Sequence, residues 1–531
     1  MAFSPLSTIQ EQDSFFAHRS RRTVALLVNY FTAGLFHGVV PALVYPLFKI
    51  RLGLQGYQAN AAQTLLGCAW HGKILLCLLT DCVPIFGRRR TPYLYVGWIL
   101  VLMIFGSLLI LDPALTMDSI DVIDAPTLIF VIAAASVGYL LVDAACDGIM
   151  VETVHWDSQI KEQGLVHSLS LSQSTVHAVR FIAELFGTLL VAIGMNSEKY
   201  KGGFSFELSL QALFVVLLSV ALVALGSTVW GFTETREMRD AETEAMDANG
   251  AVEMPNLQAK LGEFWRIMQQ HATWQIAGFG FLQKLCLSFG MDSAPPSQAM
   301  HEFWLHTDPF TKNLFLAFSN GVVCVAASIF VHRCLLFSSW HSSLLIALLG
   351  GLVVGFPIVM MVVFNVWRSK IFFLIATTIT GFSDCIAMVV RMLVVVEIAE
   401  PGFESSTYGL VTSVYNLADP VATALSNAIG THFQVFDKNI EQDSDDVRTR
   451  VGILFAALFS IRALVGLGTL PLVPPQQCVA RELKARGESS KCKTIVVFST
   501  IGITFFAALA ANLLSVFHGT HCLEFAGGMG C

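Results

Sequence analysis

Thirteen apolar runs, each about as long as a bilayer is thick, limit this chain more than any other feature of it. A helix needs about 20 mostly apolar residues to cross roughly 30 Å of hydrocarbon. Backbone N–H and C=O groups find no water there, so a spanning run closes its hydrogen bonds within itself as an α-helix. The runs fall at 24–48, 58–79, 92–111, 127–154, 165–195, 208–230, 273–291, 310–331, 342–364, 371–398, 408–433, 451–472 and 494–517. They lack the alternation of a barrel strand. Only 13% of residues are charged against 54% hydrophobic, where a soluble protein carries about 25% charged. The expectation is an all-α, multi-pass membrane protein. The basic cluster Arg19, Arg21 and Arg22 precedes a first run too long for a signal peptide, so that run reads as a retained span.

Loop charge orients the bundle. With the N-terminus inside, the inner segments hold Arg19, Arg21, Arg22, Arg88, Arg89, Arg90, the long central loop, and Arg481, Lys484, Arg486, Lys491 and Lys493. The acidic loop 112–126 has no Lys or Arg and falls outside; Arg368 and Lys370 are exceptions on the outer side. Thirteen spans also put the C-terminal tail outside. Cys522 and Cys531 stand alone in that tail and are able to pair in an oxidising compartment. Most other cysteines lie in apolar runs as small hydrophobes, with no CxxC pair, so no metal and no cofactor is expected. No basic stripe suggests nucleic acid.

The longest connection, 231–271, is polar and charged and separates two sets of six spans. It divides the chain into an N-terminal six-helix bundle (1–230), a cytoplasmic central loop (231–271) with a short surface helix expected near 260–270, a C-terminal six-helix bundle (272–473), and a basic linker, thirteenth helix and Cys-containing tail (474–531). The halves echo each other: Val151-Glu152, Gly164-Leu165-Val166 and Ser168 recur with identical spacing as Val396-Glu397, Gly409-Leu410-Val411 and Ser413. Paired six-span repeats are an architecture of large transporters.

Between spans two and three stands Asp81-Cys-Val-Pro-Ile-Phe-Gly-Arg-Arg-Arg-Thr-Pro-Tyr93. It resembles the Asp…Gly-Arg-Arg loop of the major facilitator superfamily. In its longer form, with Trp70 and Lys73 upstream, Asp143-Ala-Ala-Cys-Asp147 and Val151-Glu152 on span four, and Glu397…Pro401-Gly402…Glu404 before span eleven, it is similar to the folate–biopterin transporter family. The stretch Ile74-Leu75-Leu76-Cys77 after the lysine departs from that family's usual Pro and Gly, and the thirteenth span is extra to its twelve-helix plan. The resemblance implies two six-helix bundles with pseudo-two-fold symmetry, a central cavity, and folate or pterin as the first cargo to test.

Charges at membrane depth cost about 2.5–3.5 kcal/mol or more each unless paired or hydrated, and are functional candidates by default. Asp143 and Asp147 lie one turn apart on span four, a spacing that puts both carboxylates on one face and disfavours ionising both at once. Arg180 and Glu184 form the matching pair on span five. Arg180 is expected to partner the aspartates or to exchange them for an anionic group of the cargo. In the second half, Asp384 and Arg391 share a face of span ten, with Lys284 on span seven and Asp419 on span eleven; these are expected to form the other wall of the cavity. Lys284 suits a substrate carboxylate, or a pairing with Asp384 or Asp419. Lys73 reads as snorkelling near the inner end of span two or as a further member of the site, and Arg462 as structural. Asp81 with Arg88, Arg89 and Arg90 reads as a gating loop with Glu152, Glu397 and Glu404 as partners; otherwise its arginines only set topology. Tyr30, His37, Tyr139, Trp274 and Tyr415 are candidates to stack on a flat ring.

Two motif-like stretches carry nothing. Gly67 to Lys73 has a phosphate-loop frame without the following Ser or Thr, inside a membrane span; His301, Glu302 and His306 are one residue too long for a zinc-hydrolase pair. Gly351 and Gly355 are spaced for close helix packing. The functional expectation is a secondary carrier, not an enzyme, that moves a small anionic solute by alternating access with protons as the coupling ion and lipid as its surroundings. The rivals are a carrier of the same fold for a sugar or amino acid, and a non-transporting membrane receptor. The plasma membrane is the first expectation for its location and an organelle membrane the second.

Overall fold

The computed structural model describes residues 5–86, 88, 90–111, 124–162, 173–232, 257–289, 294–335, 338–398 and 404–531. Among these, nine helices are long and apolar enough to cross a membrane. They match spans one, three, four, six, eight, nine, ten, twelve and thirteen. The four remaining spans are two (Gly56–Leu66, Cys68–His71 and Lys73–Cys82), five (Gln173–Gly194), seven (His271–Ser288) and eleven (Glu404–Asn416 and Ala418–His432). All four are helical.

Spans two and eleven are discontinuous for different reasons. Gly67 and Gly72, with ψ of −1° and 5° in place of the usual helical value, stand at the two points where span two divides into three pieces. The phosphate-loop-like frame is thus a pair of interruptions. In span eleven the break falls at Leu417. Pro420 explains it, since proline has no N–H to give and its ring clashes with the carbonyl four residues back, at Asn416. Asp419 is left in the first turn of the second piece, where the helix dipole favours a carboxylate.

Close backbone approach fixes the neighbours. Span one (Pro5–Ala42) packs along span five. A Cβ at Gly34 would stand 2.6 Å from the Arg180 carbonyl, and one at Gly38 would stand 2.1 Å from that of Glu184. Two glycines four residues apart therefore set the depth at which Arg180 and Glu184 sit. Large apolar side chains such as Ile110, Leu464, Ile503 and Phe506 are exposed around the outside, as befits a surface solvated by lipid.

Residues 233–256 of the expected central loop lie outside the described residues, as do 164–168 of the first repeat copy and Arg89. Beyond them Leu257–Gln269 forms the expected short surface helix, begun three residues earlier. The exception to the charge rule has a local cause. Arg368 donates to both carboxylate oxygens of Asp443 at 2.6 and 2.8 Å, and Arg448 to the same two at 2.9 and 2.8 Å. Cys522 and Cys531 are joined in a disulfide.

Candidate functional site

Lys73 stands at the centre of the first polar knot. It opens the third piece of span two, directly after Gly72. Its Nζ lies 2.7 Å from Asp143 Oδ2 and 2.7 Å from Asp147 Oδ2. This corrects the snorkelling reading: the break at Gly72 turns the lysine toward span four rather than along its own helix to the interface. The i,i+4 spacing presents both carboxylates to one ammonium. Arg180 Nη1 closes the knot 3.2 Å from Asp143 Oδ1, meeting one of the two aspartates.

The two acids are not equivalent. The side chain of Asp143 is 1% exposed and that of Asp147 is 32% exposed. Asp143 is held by both cations, whereas Asp147 takes Lys73 and a hydrogen bond from the Tyr30 hydroxyl at 2.9 Å. The Trp70 ring lies against the knot, with Lys73 Nζ 5.0 Å and Arg180 Cζ 4.6 Å from its centroid. His37 tilts onto the same ring at 4.6 Å, and its Nε2 is 3.9 Å from Glu184 Oε1.

The second half holds three separate arrangements where the sequence suggested one wall. Lys284 pairs with Asp419 at 3.1 Å, and Ser288 donates to the same carboxylate at 2.7 Å. Asp384 pairs with Arg462 of span twelve at 2.5 Å, away from Arg391. Arg462 reaches it across Gly351, where any Cβ would be 2.5 Å from Nη2. Arg391 is 5% exposed. It donates to the neutral amide of Gln283 at 3.0 Å and lies 5.7 Å from the centre of the Tyr415 ring. No carboxylate among the described residues comes within ion-pair distance of it.

The remaining aromatic candidates are scattered. Tyr139 packs in the apolar core of the first half against Phe36. Trp274 stacks on His271 at the start of its helix. In the inner loop, Ile85 and Arg88 exchange backbone hydrogen bonds, and the Arg90 guanidinium rests on Gly148 of the same half, where a Cβ would be 2.4 Å from Cζ. The side chains of Asp81, Glu152, Glu397 and Glu404 lie outside the described residues.

Sequence reading missed Lys49 altogether. It follows the first span and is fully buried, 3.0 Å from Glu302 and paired also with Asp437, both of the second half. Asp437 further accepts from the Gly56 N–H at 3.0 Å. Tyr45 donates to the Thr307 carbonyl at 2.8 Å, and Lys201 reaches Glu302 at 2.7 Å. These contacts join the two halves at their outer ends. A lysine just past an apolar run reads as a topology signal, and nothing local to it marks its partners more than 250 residues away.

A family model described as the BT1 family matches residues 33–493. A "Probable folate-biopterin transporter 4" of Arabidopsis thaliana is 28% identical over 194 residues. That match covers 36% of this chain and 36% of the relative, so the chain spans about a third of the curated relative's length. Among solved structures, the inward open xylose transporter XylE from E. coli aligns with a TM-score of 0.53 at 13% identity, over 88% of this chain and 99% of that one. A D-xylose-proton symporter aligns with a TM-score of 0.55 at 14% identity, over 86% and 98%. A structure from the proton dependent oligopeptide transporters gives 0.52 at 13%, over 88% and 100%. At such identities the likeness is one of fold. The helical architecture, the matched family and these neighbours agree: the chain belongs to the BT1 family and is a multi-pass membrane protein of the major facilitator fold.

Proposed function

We propose that this transporter moves a small anionic solute of the folate or pterin class by alternating access, with a proton taken up on the Asp143–Asp147 pair. One observation carries the reading. Lys73, Arg180, Lys284 and Arg462 each have a carboxylate of the chain within ion-pair distance, whereas the buried Arg391 has an amide and an aromatic face. Among the described residues no carboxylate pairs with Arg391, a buried guanidinium at that depth is costly, and a carboxylate of the cargo would supply a counter-charge. The ring of Tyr415, and Trp70 across the seam, offer flat surfaces to a planar heterocycle. The described function of the Arabidopsis relative supports the same cargo class.

The first knot suits proton coupling. One ammonium bridges the two carboxylates. Protonating Asp147, the more exposed of the two, takes away one anionic partner of Lys73 and loosens span two from span four.

The test is uptake of labelled folate into proteoliposomes with and without an imposed pH gradient. The expected result is saturable, gradient-driven accumulation that unlabelled pterins compete and Arg391→Leu abolishes. Absence of folate-specific uptake removes the cargo, uptake indifferent to the gradient removes the proton, and full activity in Arg391→Leu removes the anion site. A panel of labelled sugars and amino acids in the same vesicles tests the alternative cargoes.

A further inference from the structure

The family match ends at residue 493, just inside the helix Lys491–Val516 that forms span thirteen. That helix does not lie apart in the lipid. It packs along the seam between the halves, against span two on one side and span eleven on the other. Its inner end rides with the second half: Thr494 donates to the Met268 carbonyl at 3.2 Å, and the His271 N–H donates to the Glu488 carbonyl at 2.8 Å. Its outer end touches both halves. Asn512 donates to the Pro420 carbonyl of span eleven at 3.1 Å, and Gln58 of span two donates to the Ser515 carbonyl at 3.2 Å.

The tail continues the pattern. Tyr57 of span two donates to the His521 carbonyl at 3.1 Å. Gly527, at φ +93°, sits where a Cβ would be 3.0 Å from Tyr57 and 3.1 Å from Asn427, one residue of each half. The Cys522–Cys531 disulfide closes this segment into a loop, and Ser515 ties the loop to the helix by donating to the Ala526 carbonyl at 2.5 Å. Beneath it the halves meet directly: Asn427 donates to the Tyr57 carbonyl at 3.2 Å, and the Thr64 and Thr423 hydroxyls are 3.1 Å apart.

We propose that span thirteen and its disulfide-closed tail form a strap that grips spans two and eleven together only while the outer ends are closed, and so biases the carrier toward its outward-closed state. The inner anchors survive a rocking of the halves because they hold the surface helix Leu257–Gln269 and the start of span seven, which lead directly into the second half. The contacts from Tyr57 and Gln58 do not, because the first half moves away from them. A contact made in one state only shifts the equilibrium by its own free energy. The strap acts whatever the cargo is, so its test needs no substrate.

The experiment uses the full chain in nanodiscs with Thr423→Cys as a reporter of the seam and a charged, membrane-impermeant maleimide, read peptide by peptide by mass spectrometry. Thr423 is buried in the closed seam, so its thiol reacts slowly in the parent. Adding Gln58→Ala, or Cys522→Ser with Cys531→Ser, is expected to speed its modification about tenfold, the size of effect that losing one or two hydrogen bonds gives a two-state equilibrium. The buried native Cys286 is expected to stay unmodified throughout. An unchanged rate in both variants overturns the proposal. So does reaction of Cys286 together with the reporter, which would make the tail a staple of the fold and not a bias between states.

Discussion

Lys49 and Glu302 lie 3.0 Å apart at the outer end of the seam, the one following span one and the other preceding span eight, and both nearly out of solvent. Asp437 completes the trio. Removing the lysine leaves Asp437 without this cation, while Glu302 keeps Lys201. Breaking a buried pair in this way costs about 3–5 kcal/mol, and here the cost falls on the closed arrangement. Lys49→Met is therefore expected to open the outer seam. Hydrogen exchange should quicken in 44–60 and 294–304, beginning with the Gly56 amide that Asp437 holds. Unaltered protection there would show that the trio does not hold the gate.

The two acids of span four should part company on substitution. Asp143 is held by Lys73 and Arg180 and is shut off from solvent, so Asp143→Asn leaves two neighbouring cations under-neutralised. Asp147 is more open and has Tyr30 as a second partner. Asp143→Asn is expected to lower the melting temperature much more than Asp147→Asn, by about 3–5 kcal/mol in stability against about 1 kcal/mol. In transport, Asp147→Asn should lose gradient-driven accumulation while keeping exchange. Equal melting shifts, or accumulation intact in Asp147→Asn, would remove the division of labour between them.

What the residues revealed in advance follows from how local each signal is. Apolar length and loop charge are properties of one segment, so the spans and their helical nature could be read directly. The Asp143–Asp147 face follows from helical geometry alone, and the pairing of Arg180 with it needed only the family's arrangement of helices. Lys73 was misplaced because its direction depends on the break at Gly72, and a glycine in a span reads equally well as close packing. Arg462 and Asp384 stand on different helices with no sequence signal linking them; only the packing of span nine at Gly351 lets them meet. The family pattern offered no reading of the strap, because that segment lies beyond the family match.

Gly351 gives a sharper test of that last meeting. A methyl group there would collide with the Arg462 guanidinium at 2.5 Å, displacing the cation from Asp384. Overpacking of this kind costs about 1–3 kcal/mol. Gly468, on the same helix as Arg462, has open space where a Cβ would go, so Gly468→Ala should be neutral or slightly stabilising. Gly351→Ala is expected to melt several degrees lower and Gly468→Ala is not. Similar behaviour of the two variants would mean that the Arg462–Asp384 pair tolerates the displacement.

The outer corner built on Asp443 should be acid-sensitive in a defined direction. Partial burial alone would raise its pKa, but hydrogen bonds from Arg448 and Arg368 outweigh it and hold the carboxyl well below the usual range. A group whose folded pKa is depressed contributes stability that is complete above its unfolded pKa of about 4 and fades as pH falls toward the folded value. Asp443 has φ 48°, a left-handed conformation that asparagine also adopts readily. Asp443→Asn thus keeps the backbone and removes the charge. Its melting temperature is expected to lie below that of the parent by a constant amount above about pH 5, with the gap narrowing below about pH 4 as the carboxylate of the unfolded parent takes up its proton. A gap that stays constant down to pH 2 would mean that the two arginines hold this corner by shape, with the charge of Asp443 contributing nothing.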